Sequence, residues 1–191
     1  MAELDDLARL AVNLGASAAR ILPPGDVSAE ENLAALCRET NCPNYGLSPT
    51  CPPNVEGPAW LRDYLNGIHA VIFLKIDLPT DIMYSDQRRE IGKLLHFVVI
   101  EVERTALEMG FTRARAFAGG SCKNLFCPDE PDCNVLYGSG DCRHPDSARP
   151  SISGYGINVN LLMKAAGWSP GKNDPGRNAG MSTRCGLVLL G

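Results

Sequence analysis

The sequence predicts an α/β fold, a small sheet of about four strands packed with helices, plus an irregular cysteine-rich region. Three observations carry this expectation. Helical periodicity in some stretches alternates with extended apolar runs in others, as expected of helices layered on a sheet. "HAVIFLKIDL" (69–78) is long, apolar and rich in β-branched residues, the pattern of a strand covered on both faces. "SCKNLFCPDEPDCNVLYGSGDCRHP" (121–145) follows neither period and packs four cysteines into one loop-like stretch. With 191 residues, 45% hydrophobic and 21% charged, the chain reads as a single domain, 1–191, large enough to bury a proper core.

The elements follow in order. Leu4, Leu7, Leu10, Ala11 and Leu14 share one helical face, and Gly15 ends it. "SAARILPP" makes a short strand stopped by Pro23 and Pro24. "SAEE" (28–31) reads as a capping box in which Ser28 caps and Glu31 reaches back, starting a helix on Leu33 and Leu36 that runs out at Cys37. From there to Pro58 the chain is rich in Pro, Asn and Gly and reads as irregular. After the strand at 69–78 comes the longest helix, 86–109, with Ile91, Leu94, Leu95, Val98 and Val102 inward and Gly110 as terminator. "TRARAFAGG" alternates as a strand and "GGSC" opens the cysteine region. A helix at about 158–166 ends at Gly167; "SPGKNDPGRNAG" (169–180) is a glycine- and proline-rich loop; "CGLVLLG" is a final strand.

The N-terminus, "MAELDDLARL", is acidic and has none of the build of a secretory signal. No stretch approaches the roughly 18 uninterrupted apolar residues of a membrane span. A cytoplasmic protein is expected, with no membrane partner. The net charge of −4 gives no support to nucleic-acid binding. Charge is uneven, however: residues 1–63 hold nine acidic and four basic side chains, whereas Arg143, Arg149, Lys164, Lys172, Arg177 and Arg184 face only Asp146 and Asp174 over 143–184. That positive segment is either an ordinary solvated surface or a counter-charge to thiolates or to a bound anion.

Eight cysteines need a reason. Disulfide scaffolds are usually small secreted domains without an adequate core, and in a reducing compartment clustered cysteines bind metal or catalyse. They fall into two sets, defining candidate metal-binding segments at 37–53 and 119–150. Cys37, Cys42 and Cys51 are separated by four and eight residues; Cys122, Cys127, Cys133 and Cys142 by four, five and eight. Cys185 stands alone on an apolar strand and reads as a small core hydrophobe. Structural zinc usually takes two close C-x(2–4)-C pairs, and Cys133 and Cys142 are too widely spaced to form one. The ferredoxin run C-x2-C-x2-C-x3-C-P is absent, yet proline directly follows Cys42, Cys51 and Cys127, as it follows the last cysteine of that run. Spacing therefore favours an iron–sulfur cluster of 4Fe–4S type, one or two, with zinc as the alternative.

Four cysteines from one segment make a closed ligand set. Three make an incomplete one, which would leave one iron open to a small molecule. Cys185 completing the smaller set, or a single site shared by all seven, are further partitions. Gly119 and Gly120 precede Cys122, where they allow close backbone approach to a cluster or simply make a tight turn. His144 can ligate or donate a hydrogen bond to a ligand thiolate, and Arg143 and Arg149 can neutralise a cluster or hold an anionic partner. His69 and His96 have no partner visible in sequence, and P-loop, G-x-S-x-G and H-E-x-x-H motifs are absent.

The string "GGSC…C…C…CRHPDSARPSISGYGINV" resembles the signature of a prokaryotic family of predicted metal-binding proteins, domain of unknown function family 2284. The earlier Cys42-Pro43-Asn44-Tyr45-Gly46 and Cys51-Pro52-Pro53, with Cys37 before them, are similar to its N-terminal pattern, and "GLVLLG" to its end. The resemblance spans about residues 30 to 191. The family pattern opens its second set with C-x2-C, whereas here Cys122 and Cys127 are four residues apart. It implies metal binding, plausibly iron–sulfur, without specifying a reaction. Two functions follow as expectations: a redox protein serving electron transfer or a reductive step, with a partner protein or small-molecule substrate; or a zinc-held interaction module without catalysis. Neither fixes an oligomeric state.

Overall fold

The computed structural model describes residues 2–138, 140–168 and 180–191. Its elements are α1 (Ala2–Asn13), β1 (Ala18–Leu22), α2 (Glu31–Glu39), α3 (Gly57–Leu65), β2 (Ala70–Pro79), α4 (Thr80–Met83), α5 (Arg88–Glu108), β3 (Arg115–Ala118), α6 (Cys122–Phe126), α7 (Asn134–Tyr137), α8 (Val159–Ala165) and β4 (Met181–Leu190). The fold is mixed α/β, as the sequence predicts. The four strands form one antiparallel sheet in the order β1-β2-β4-β3.

Register follows from burial on both faces. Pairing Phe73 with Leu187, and Leu187 with Phe117, stacks large side chains on one face, while Ile72 and Val188 pair on the other. On the first face Val71, Phe73, Phe117, Leu187 and Leu189 meet Leu61 of α3, Leu162 and Met163 of α8, and Tyr155. On the second, Ile72, Leu74, Ile76, Val188 and Leu190 pack against Leu7 and Ala11 of α1 and Leu95, Val98, Val99 and Val102 of α5. The strand covered on both faces is thus β2, paired on one side with β1 and on the other with β4.

Several boundaries differ from the sequence expectation for physical reasons. Ser28 is not the cap of α2: Ala29 bridges Ile157 and the Glu30 N–H donates to the Gly156 carbonyl, so the chain stays extended until Glu30. The Ser28 hydroxyl donates to the Glu30 carboxylate instead. Polar residues Ser182, Thr183 and Arg184 extend β4 at its start, because they pair with Leu78, Asp77 and Ile76. α3 follows the irregular stretch, begins with Pro58 in its first turn and turns Leu61 inward. The predicted loop lies outside the described residues over 169–179. Among the described residues no helix is long and apolar enough to cross a membrane.

Chain reversals set the site. The excursion from Gly119 to Arg149 leaves the end of β3 and returns beside it: the Ala118 N–H donates to the Pro150 carbonyl and the Ile152 N–H to the Ala118 carbonyl. At that return point the Ser151 N–H also donates to the Thr50 carbonyl, 2.9 Å. One short extended segment therefore ties both cysteine segments to the edge of the sheet.

Candidate metal centre

The first cysteine segment is folded by tight turns. The Cys42 N–H donates to the Cys37 carbonyl at the end of α2, the Tyr45 N–H to the Cys42 carbonyl, and the Cys51 N–H to the Ser48 carbonyl. Gly46 and Pro52 close the loop, and the Asn54 amide braces the Ser48 carbonyl at 3.1 Å. The second segment is held by its own cations. Lys123 donates to the carbonyls of Cys127 and Glu130, and Arg143 donates to the Asp132 carbonyl and pairs with the Glu130 carboxylate at 3.0 Å. These bonds satisfy backbone groups that no helix or strand serves.

Cys122, Cys127, Cys133 and Cys142 line one pocket, walled by Leu47, Ser48 and Pro49 from the first segment and by Lys123, Asn134 and Arg143. The Thr50 and Ser48 hydroxyls, 3.2 Å from each other, act on the Cys122 thiol to lower its pKa. Burial nevertheless pushes the Cys122 thiol up, with Cys51 and Cys133 adding to it. Burial likewise raises Cys127, opposed by Arg143 and reinforced by Cys142. Cys37 is raised by burial and by its neighbours Cys42 and Cys51. Cys51 thus acts on both Cys37 and Cys122, one from each set. All eight cysteines are unpaired.

A separate cleft of about 410 Å³ is lined by Cys37, Cys42, Leu33, Leu36, Thr40 and Asn158, among others. Among the described residues, no three Cys, His, Asp or Glu side chains converge closely enough to grip a single ion. Four thiols around one pocket are a ligand set of the number and softness that iron–sulfur clusters and zinc share.

The remaining sequence candidates divide. Arg143 stands at the thiol pocket. His144 brings its backbone N–H to the Cys142 sulfur at 3.4 Å, while its ring lies against Phe126. Arg149 points elsewhere: its Nε donates to Glu103 of α5 at 2.6 Å and its backbone N–H to His96 Nδ1 at 3.1 Å. The Gly119 N–H donates to the Cys185 carbonyl, and Gly120 packs against Leu125 and Arg184; neither lines the thiol pocket. Cys185 is buried in the core with its sulfur 3.9 Å from that of Met163. Ser48 and Thr50 were not among the sequence candidates; their signal was a pair of hydroxyls between Cys42 and Cys51, in "LSPTC".

With this geometry in place, the chain can be compared with known proteins. Residues 20–190 match the family model described as predicted metal-binding protein (DUF2284). The chain belongs to this family. No curated protein and no solved structure gives a significant match. The matched residues include both cysteine segments and the return segment that ties them together.

Proposed function

We propose that the protein is an iron–sulfur redox protein of the reducing cytoplasm, in which Cys122, Cys127, Cys133 and Cys142 hold a 4Fe–4S-type cluster. The observation that carries this reading is that four thiols from one segment line one pocket, while Cys133 and Cys142 stand too far apart in sequence to form the second close pair of a structural zinc site. Such a cluster supplies one-electron transfer when bound.

The chain's own residues tune that chemistry. Thr50 and Ser48, whose hydroxyls act on Cys122, favour its thiolate, and hydrogen bonds to ligand sulfurs shift a cluster's potential. Arg143 places positive charge near Cys127 and offsets part of the charge of a thiolate set. Leu47 and Pro49 narrow the access of water to the pocket. Cys37, Cys42 and Cys51 are the incomplete set, and the first two border a cleft of about 410 Å³, within the range that takes small molecules. That cleft is where a reductive step on a small-molecule substrate would be sought, with a redox partner protein supplying electrons.

Iron, zinc and acid-labile sulfide per chain, measured on protein isolated without oxygen beside its visible spectrum, test the proposal. About four irons and four sulfides with broad absorption near ~400 nm are expected for one cluster, and about eight of each if the cleft-side thiols hold a second. Stoichiometric zinc without sulfide would overturn it in favour of a structural module.

A further inference from the structure

Among the described residues, three buried side-chain polar atoms lack a hydrogen-bond partner: His96 Nε2, Ser121 Oγ and Arg184 Nε. All three come from one junction, where α5, the Gly119–Ser121 turn and the start of β4 meet. A Cβ built on Gly92 of α5 would stand 3.2 Å from Arg184 Nη1, and one on Gly120 would stand 3.6 Å from it. Gly120 is at φ +118°, so a side chain there is disfavoured twice over. His96 follows Gly92 by one helical turn and feels the Arg184 charge. Ser121 is the residue after Gly120.

The chemistry of these atoms is one-sided. Arg184 Nε–H can only donate. His96 accepts the Arg149 N–H at Nδ1, so its neutral ring carries a proton on Nε2 and donates there as well. Ser121 has a hydroxyl proton free to turn toward any acceptor. The charge is one-sided too. Arg62, Arg115, Arg143 and Arg149 each have a carboxylate within bonding distance. Arg184, half-buried, has none among the described residues, and the charge that bears on it is another guanidinium, that of Arg88. Leaving a cation and donors partly out of water without acceptors is costly, and an acceptor-rich anion removes that cost.

We propose that this junction is a binding site for a small oxyanion, a phosphate or carboxylate group held by Arg184 and Ser121 with Arg88 at the entrance. The absence of side chains on Gly92 and Gly120 lets the guanidinium lie close to both backbones, beside Leu125. The site uses no thiol, so it stands independently of which metal the protein carries.

Inorganic phosphate and malonate, titrated separately into the metal-loaded protein against chloride at matched ionic strength, test this by calorimetry and thermal unfolding. Saturable binding of either anion is expected, and which one binds distinguishes a phosphoryl from a carboxylate ligand. Arg184→Gln weakens it by about tenfold or more, Arg184→Lys by less because it keeps the charge, with iron, zinc and sulfide content unchanged. Arg88→Gln, at an exposed position that does not threaten folding, weakens it several-fold. No saturable binding of either anion, or equal binding by wild type, Arg184→Gln and Arg88→Gln, would overturn the proposal.

Discussion

In the sheet, Ile72, Phe73, Leu74, Phe117, Leu187 and Leu189 are fully buried and touch helices on either face. In the excursion between Gly119 and Arg149, Leu125 is the buried hydrophobic residue among those described, and the 37–53 loop buries only Ser48 and Cys51. The sheet half is therefore folded by apolar burial, which asks nothing of a ligand. The thiol half has too little apolar surface inside to offset the entropy of ordering its loops. Its turns are held by Lys123, Arg143 and the Ser151–Thr50 bond, and by whatever the thiols bind. On this division a metal is expected to order the loops and not the sheet.

Metal removal breaks this contrast most directly. Under a chelator without oxygen, amide exchange across 37–53 and 122–142 is expected to accelerate on the order of 10,000-fold, while β2 and β4 keep their protection. Loss of protection in β2 together with the loops would show that the two halves are one cooperative unit. Next in size, Phe117→Ala empties a fully buried position and should cost about 3–5 kcal/mol, seen as a lowered Tm, with metal per folded chain unchanged. A drop in metal content in proportion to the lost stability would join the halves again.

The smallest effect is acid-linked and belongs to the sheet half. Burial, with Arg149 and Arg184 nearby, lowers the His96 pKa from 6.5 to about 4. The neutral ring is favoured in the folded state, so this contribution is fully present above about pH 6.5 and fades as pH falls toward 4. The total at stake is about 3 kcal/mol. Denaturant titrations of metal-free protein across that window should show the decline, and His96→Gln should flatten it. An unchanged slope in that variant would assign the acid sensitivity to other groups.

Much of the sheet half was legible in the sequence because its order is periodic. The run around Phe73 and the helical stripe of Leu95, Val98 and Val102 each state their partner face by spacing alone. Ser28 misled because capping signals are local, while the bridge from Ala29 to Ile157 joins distant parts of the chain. Sequence spacing also grouped the thiols by segment, and the fold adds a link between the groups, since Cys51 acts on Cys122 as well as on Cys37. Arg149, beside His144 and Cys142 in the sequence, turned to Glu103 on α5, since its backbone had already passed the thiols on its way back to the sheet.

By itself, the sequence determined the residue types: eight thiols, an α/β pattern of periods and the motifs of a metal-binding family. The tertiary structure decided which thiols share a pocket, that Ser48 and Thr50 act on one of them, and that Arg184 has no carboxylate partner among the described residues. Periodicity records which face of an element is buried, and that much is encoded locally. Which two distant residues meet is settled only when long-range contacts close the chain on itself.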